Sequence, residues 1–239
     1  MSSPHDLAME LISSFRSAAP TAAPAPRRRS EPMALGPSVH VESEPRTRAD
    51  LLTTLRTRRS TRFFAPTAVP ASLLADVVGR GIAEDAGSWP DEHKCCPLQT
   101  YVTAFRLDGV EPGMFELDSL PRSYTPVAPL PAAEALHDLA IQWEFCDSAA
   151  IISIAADVDR TSEIHGAHGY RLLMGRAAAT AYTMWLDAVA NGLVGTVFAG
   201  FIPASVRQLL HSDGTSRHQL FALALGGAPH TSPEATSHR

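Results

Sequence analysis

One long helix limits the folds that are open to this chain. From Tyr170 onward, apolar or small residues recur at the i, i+3, i+4, i+7 spacing for about five turns, and the pattern stops at Asn191 and Gly192. The stripe consists of Leu173, Met174, Ala177, Ala178, Ala181, Met184, Trp185, Ala188 and Val189. Because much of it is alanine, another helix can approach closely. The chain therefore needs a fold that surrounds a long, packed helix.

Strand-like and helical stretches surround this helix in the sequence. The run from Ser148 to Val158 is apolar and β-branched, which is typical of a strand buried in the middle of a sheet. Composition and periodicity predict further strands over 99–108, 113–118 and 218–227, and shorter helices over 48–60, 70–83, 132–145 and 204–211. The sum is an α+β fold in which a mixed or antiparallel sheet packs on a long central helix.

The composition changes at both ends of the folded part. Residues 1–47 hold a short amphipathic stretch, an Ala/Pro run and the arginines Arg27–Arg29, which together predict a mobile arm and linker. The three arginines could contact a polyanion, but a solvated charge run in a linker is the simpler interpretation. Residues 48–229 are predicted to form one folded domain, and residues 230–239 a polar tail.

Charge and cysteine content exclude several classes of protein. A net charge of −5 argues against general nucleic-acid binding, and no apolar run is long enough to span a membrane. The three cysteines form no disulfide framework, and Cys95–Cys96 has no second pair at ligand spacing, so no metal site is predicted. The N-terminus, with Asp6 and Glu10, lacks the apolar segment of a signal peptide. These features predict a soluble, cytoplasmic protein.

An arginine-rich segment stands near the start of the folded domain. Arg56–Phe64 holds four arginines within seven residues and ends in two phenylalanines. A solvated helix end would explain it, because arginine is favourable near a helix C-terminus. A phosphate clamp would explain it too. In an extended segment Arg58, Ser60 and Arg62 would face one side, where guanidinium forks and a hydroxyl can hold an anion.

The order and spacing of these motifs resemble the flavin-dependent nitroreductase family. There an Arg-x-Ser-x-basic motif after a helix holds the FMN phosphate and ribityl chain, which implies that role for Arg58, Ser60 and Arg62. The stretch LVGTVFAGF resembles the family segment whose backbone N–H points at flavin N5, which implies Ala199 and Gly200. The resemblance covers residues 51–229 and implies a nitroreductase-like fold, bound FMN and an intertwined homodimer with flavin sites between its subunits.

Two further segments resemble the branch of that family that oxidises thiazolines and oxazolines to azoles in modified peptides. They are residues 97–119, which begin PLQTYV, and residues 147–174, which include the expected strand and the start of the long helix. The likeness implies a heterocyclised peptide substrate and a cyclodehydratase as partner. The chain departs from the branch at the Lys-Tyr pair before the helix, here Ile164 and His165, and at a flavin-side loop, here Pro90–Cys96.

His165 and Tyr170, near the start of the long helix, are the predicted catalytic residues. Azoline oxidation removes a proton from carbon while a hydride leaves for the flavin, and an imidazole is a suitable proton acceptor near neutral pH. His165 is the preferred base, and a loop histidine without a role is its alternative. Tyr170 could donate or accept a proton, but its place on the apolar stripe favours a position in the core.

The predicted function is an FMN-dependent azoline dehydrogenase, an enzyme that forms thiazole or oxazole rings. Two alternatives fit the same residues. One is an NAD(P)H-dependent nitro- or quinone reductase, which NADPH would reveal by reducing the flavin. The other is a catalytically silent flavin-binding protein in a peptide-modifying complex, which would bind flavin without turning over an azoline peptide.

Overall fold

The structure, a computed structural model, describes residues 3–14, 33–136, 138–140, 142–199 and 214–229. Residues 15–32 of the arm and linker predicted over 1–47, the helix predicted over 204–211, the predicted flavin contact Gly200 and the polar tail lie outside these residues.

The described residues form seven α-helices, two of which, over 90–95 and 158–165, the sequence does not predict. They are α1 (Pro4–Ser14), α2 (Leu51–Thr57), α3 (Ala71–Ser88), α4 (Pro90–Cys95), α5 (Ala133–Leu136), α6 (Val158–His165) and α7 (His168–Ala190), with a 3₁₀ segment over Trp143–Asp147. Asp50 caps α2 by accepting a hydrogen bond of 3.0 Å from the backbone N–H of Thr53. No helix among these is long and apolar enough to cross a membrane.

A seven-stranded sheet forms the centre of the molecule. Its strands lie in the order β1-β6-β5-β3-β7-β9-β8, and every neighbouring pair is antiparallel. The strands are β1 (Val39–His40), β3 (Gln99–Ala104), β5 (Gly113–Asp118), β6 (Ser123–Ala128), β7 (Ala150–Ala156), β8 (Val194–Phe198) and β9 (His218–Gly226); β2 (Val69–Pro70) and β4 (Leu107–Asp108) form a small parallel pair. All of β7 is buried, as its sequence predicts. The α+β fold with an antiparallel sheet and a long helix is confirmed.

Helices α3 and α7 cover one face of the sheet. The apolar side chains of α7 that the core encloses completely are those of Leu173, Ala177, Ala181, Met184 and Ala188. The predicted stripe is wider than this buried face, because Ala178 is exposed and Tyr170 is 39% exposed. The expected core position of Tyr170 is therefore wrong. The outward face of α7, with Gly175, Ala178 and Tyr182, has no covering element among the described residues.

The other face of the sheet is covered by the 3₁₀ segment and the turns before it. Leu139, Phe145 and Cys146 are buried there against side chains of β3, β7 and β9. The rings of Phe145 and Phe198 lie 4.3 Å apart between centroids, which joins the end of β8 to this second layer. Because apolar layers cover both faces, the sheet is the middle layer of three.

Strand β8 is one edge of the sheet, and the arginine-rich segment lies along it. Ser60 bridges to Gly195 as a parallel partner, and the N–H of Thr61 donates to the carbonyl oxygen of Gly195 at 3.1 Å. A Cβ atom on Gly195 would stand 2.0 Å from the carbonyl oxygen of Ala224 on β9. Glycine at this position therefore lets the edge strand approach β9 closely.

A buried ion pair joins α3, α4 and α7. The guanidinium of Arg176 donates to both carboxylate oxygens of Asp85, at 2.8 and 2.7 Å, and both side chains are fully buried. The same guanidinium donates to the carbonyl oxygen of Cys96 at 3.0 Å. The Nδ1 atom of His93 lies 2.8 Å from Asp85. The interior thus contains a charged group whose hydrogen bonds hold the end of α4 in place.

Candidate functional site

The segment from Arg58 to Ala65 is extended and tied to the sheet at both of its ends. The C-cap of α2 falls at Arg58, and the chain then pairs with Gly195 through Ser60 and Thr61. The N–H of Ala65 donates to the carbonyl oxygen of Gly227 at 3.0 Å. The side chains of Arg58, Ser60 and Arg62 are therefore carried by a backbone that the edge of the sheet fixes.

Arg58 and Arg62, the two arginines predicted to hold a phosphate, contact elements on opposite faces of the sheet. The guanidinium carbon of Arg58 lies 4.4 Å from the ring centroid of Trp185 on α7, a cation–π contact. A nitrogen of Arg62 lies 3.4 Å from a carboxylate oxygen of Glu144 in the 3₁₀ segment. The expected single row of three side chains is therefore not formed. The two cations instead flank the sheet edge, and the exposed Ser60 lies between them.

Several features of this edge suit an anion. Within the described residues Arg58 has no carboxylate partner, and the hydroxyl of Ser60 makes no hydrogen bond. Arg62 pairs with Glu144, but the Arg62 side chain is itself 57% exposed, so its guanidinium is accessible to a further anion. An incoming phosphate can therefore meet two guanidinium groups and a free hydroxyl, and can replace the Glu144 carboxylate on Arg62.

Ala199, the described one of the two predicted contacts at flavin N5, lies on the same edge. It is exposed and directly follows β8. Since a strand rises about 3.3 Å per residue, its backbone lies roughly 13 Å along the strand from Gly195. The structure therefore brings Arg58, Ser60, Arg62 and Ala199 together along one sheet edge.

The predicted catalytic residues lie at the opposite end of α7 from this edge. His165 ends α6, and Tyr170 lies in the first turn of α7, whereas Trp185, the partner of Arg58, lies near the end of α7. At 1.5 Å per residue the two ends of this stretch are about 25 Å apart. Within one chain the structure does not bring His165 or Tyr170 to the arginine-rich segment.

Tyr170 has a histidine neighbour that the sequence did not single out. Its ring and that of His218 on β9 are 6.3 Å apart between centroids in a T-shaped arrangement. The Nδ1 atom of His218 lies 3.1 Å from the carbonyl oxygen of Gly214. Since a carbonyl only accepts, Nδ1 carries the proton and Nε2 is left as an acceptor in the neutral ring. The sequence of β9 predicts a strand, but a strand pattern assigns no chemical role to His218, its first residue.

His165 has a different environment from Tyr170. Gly166, with φ of 59°, turns the chain from α6 into α7, which leaves His165 half-buried at the junction. Its Nε2 atom is buried and has no hydrogen-bond partner among the described residues. An imidazole nitrogen and the sulfur atoms of Cys95 and Cys96 all lie within 4.8 Å of one another. Burial raises the pKa of the Cys96 thiol, while a hydrogen bond with Thr161 and the charge of Arg160 oppose that shift.

An apolar surface lies beside the arginine-rich segment. Its members are large apolar side chains of α2 and the segment itself, each more than two fifths exposed: Leu51, Leu52, Leu55 and Phe63. The outward face of α7 continues this surface through Tyr182. An exposed set of this size on neighbouring elements is typical of a protein–protein contact.

One protein family matches most of the chain. The model described as "Nitroreductase family" matches residues 55–227. A Methanocaldococcus jannaschii protein that is named as a nitroreductase is 27% identical over 162 residues, which cover 64% of this chain and 80% of that protein.

Solved structures with the same fold include proteins described as nitroreductases and a chain of a microcin synthetase complex. A chain from Anabaena variabilis superposes with a TM-score of 0.63 at 20% identity, over 75% of this chain but only 38% of its own length. One from Ralstonia eutropha gives 0.61 at 16% identity, over 89% of this chain and 100% of its own. A chain of the E. coli microcin synthetase complex with truncated pro-MccB17 bound gives 0.57 at 14% identity, over 74% of this chain and 73% of its own.

Proposed function

The chain belongs to the nitroreductase family, and from that premise we propose that it is an FMN-dependent dehydrogenase that oxidises azolines to azoles in a ribosomally made peptide. The segments at 97–119 and 147–174 support the azoline branch. The fold shared with a chain of the peptide-bound microcin synthetase complex is consistent with a peptide substrate and a cyclodehydratase partner.

The observation that carries this proposal is the arrangement of Arg58, Ser60 and Arg62 along the edge of β8. These residues fit the phosphate end of FMN, because they place two guanidinium groups and a free hydroxyl at the β8 edge of the sheet. The backbone that carries them is held there by its pairing with Gly195. The backbone at Ala199 follows on the same edge, where the isoalloxazine is proposed to bind. When bound, FMN supplies the chemistry of accepting a hydride from the substrate carbon. The protein then has to bind and orient the flavin and the substrate, and to remove one proton from the substrate.

A second copy of the chain is proposed to complete the site. Pairing of two α7 helices in antiparallel fashion across a two-fold axis would place the start of one helix beside the end of the other. Exposed Gly175 and Ala178 allow close approach near the middle of α7, and the exposed leucines of α2 supply apolar area nearby. In such a homodimer the predicted catalytic residues of one protomer would lie near the predicted phosphate-binding residues of its partner. The separation of about 25 Å within one chain would then not keep the two groups apart.

The proton-accepting group is proposed to lie at the start of α7. Tyr170 has an exposed side chain there, with His218 beside it as an acceptor. The Nε2 atom of His165, in contrast, is buried. We therefore assign proton transfer to Tyr170 and His218 and keep His165 as the competing prediction.

The function is tested by mixing the flavin-loaded protein with an azoline-containing peptide in the absence of oxygen. The expected result is loss of the oxidised flavin absorption together with the loss of two hydrogen atoms from the peptide, measured by mass spectrometry. Rapid reduction by NADPH with no effect of the peptide would contradict the proposal. It would favour the NAD(P)H-dependent reductase instead, which the name of the Methanocaldococcus relative also suggests.

Replacing Arg58 or Arg62 with alanine is expected to weaken FMN binding by about tenfold to a hundredfold, since a hydrogen bond to a charged group is worth roughly 1.5–3 kcal/mol. The dissociation constant is measured by flavin fluorescence. Arg59→Ala is the matched control, because Arg59 donates to the backbone carbonyls of Arg56 and Arg58 and lies on the same segment. Wild-type affinity in both Arg58→Ala and Arg62→Ala would show that the phosphate binds elsewhere.

A further inference from the structure

We propose that Cys95, Cys96 and His165 form a binding site for a thiophilic metal ion, with Zn²⁺ as the expected occupant. This site is separate from the proposed flavin edge and does not depend on the azoline reaction. The proposal assigns His165 to metal binding instead of proton transfer.

The fold brings His165 to two adjacent cysteines, Cys95 and Cys96, which precede it in the sequence by about 70 positions. Cys95 ends α4, Cys96 follows it with φ of −141° and ψ of 71°, and His165 ends α6. Their ligand atoms lie within 4.8 Å of one another. In a tetrahedral zinc site with Zn–S bonds of about 2.3 Å, two sulfur atoms are about 3.8 Å apart. Small rotations of the side chains therefore suffice to close the three atoms around one ion.

The imidazole of His165 lacks the partner that a buried polar atom needs. Its Nε2 atom is inaccessible to solvent and forms no hydrogen bond within the described residues. Leaving such an atom without a partner costs the desolvation of that group, and buried polar groups in folded proteins are nearly always satisfied. A bound cation would satisfy the imidazole, because neutral histidine is a common metal ligand.

Charge balance favours a divalent ion here. None of the cysteines at 95, 96 and 146 forms a disulfide, so the sulfur atoms of Cys95 and Cys96 are available as metal ligands. Two thiolates and a neutral imidazole neutralise one Zn²⁺, which makes a partly buried site tolerable. Thiolate and imidazole ligands together select zinc or other thiophilic metals over Mg²⁺ and Ca²⁺.

The surroundings hold two of the ligands in place before any ion binds. The carbonyl of Cys96 accepts from Arg176 in the buried ion pair, which fixes the end of α4. Three protein ligands leave the fourth tetrahedral position open to water or to a further ligand. A bound ion would therefore cross-link α4, in the segment that replaces the family's flavin-side loop, to the junction of α6 and α7.

The test uses the full-length protein, reduced and treated with a chelator, and adds Co²⁺ or Zn²⁺ alone. Co²⁺ is expected to bind at one ion per chain with release of up to two protons and to give thiolate-to-cobalt charge-transfer absorption, which disappears when Zn²⁺ displaces the cobalt. Cys95→Ser and His165→Ala should each weaken zinc binding on the order of 100-fold or more and change the cobalt spectrum.

Matched controls separate ligand loss from misfolding. Cys146→Ser removes the third cysteine, whose thiol donates to the carbonyl of Leu136 on the other side of the sheet, and His40→Ala removes an exposed histidine on β1. Both should retain the cobalt spectrum. Near-ultraviolet circular dichroism and FMN binding should stay unchanged in Cys95→Ser and His165→Ala. Absence of charge-transfer absorption in the wild type, or an unaltered spectrum in both ligand variants, would overturn the proposal while leaving the flavin assignment untouched.

Discussion

Replacing Asp85 with alanine is expected to lower the free energy of unfolding by about 3–5 kcal/mol, because it leaves the Arg176 guanidinium buried without its counter-ion. Both side chains are fully buried, and two hydrogen bonds of 2.7 and 2.8 Å are lost together with the contact to His93. Urea denaturation followed by circular dichroism measures the change.

The controls for this prediction use a surface pair and a double variant. Arg160 and Glu163 form an exposed pair at 3.6 Å, so Glu163→Ala should cost less than about 1 kcal/mol. Replacing both buried partners, as Asp85→Leu with Arg176→Met, should recover much of the lost stability, since apolar side chains need no counter-ion. A change below about 1 kcal/mol in Asp85→Ala would mean that water reaches Arg176 in solution.

Tyr170→Phe is expected to slow flavin reduction by an azoline peptide by roughly 10²–10⁴-fold, the usual effect of losing a general acid–base group. The ring and its packing against His218 are kept, so FMN affinity should not change. Single-turnover stopped-flow absorbance under anaerobic conditions measures the rate. Tyr182→Phe is the matched control, because Tyr182 is also exposed on the outward face of α7.

The same measurement decides between the two predicted bases. If His165 accepts the proton, His165→Ala should show the large rate loss and Tyr170→Phe should not. If Tyr170 and His218 act together, His218→Ala should slow the reaction like Tyr170→Phe, and His165→Ala should change metal binding instead. Unchanged rates in both Tyr170→Phe and His218→Ala would rule out that pair as the proton acceptor.

The sequence predicts those elements whose apolar pattern is strong and continuous. Helix α7 and strand β7 are found where the sequence places them, because each buries most of one face or all of its residues. Helix α6 was not predicted, since its sequence VDRTSEIH offers little apolar periodicity and depends on packing against α7. The helix predicted over 132–145 is instead the short α5 and, after a turn, the 3₁₀ segment.

Strand β6 shows how a local rule can fail. Pro126 lies inside it, and proline argues against a strand because it cannot donate to a ladder. The pairing of β5 with β6 shifts register between Met114 and Phe115, directly opposite this residue. The irregularity accommodates the missing donor, so the strand continues.

The candidate site, like the fold, is predictable from the sequence only in part. Arg58, Ser60 and Arg62 are neighbours in the sequence, so their common position at one sheet edge follows from local structure. The contacts between Asp85 and Arg176, and between Cys95 and His165, join residues at least 70 positions apart. No periodic pattern in the sequence predicts such contacts, because they depend on how α3, α4 and α6 pack around α7.

The strand order also has a consequence for folding during synthesis. β9 is the last of the described strands in the sequence, yet it lies between β7 and β8. As the chain leaves the ribosome, the edge of β7 that faces away from β3 and the edge of β8 that pairs with β9 therefore lack their partner until residue 226 has emerged. Closure of the sheet thus waits for β9, and β8 cannot join the sheet before it.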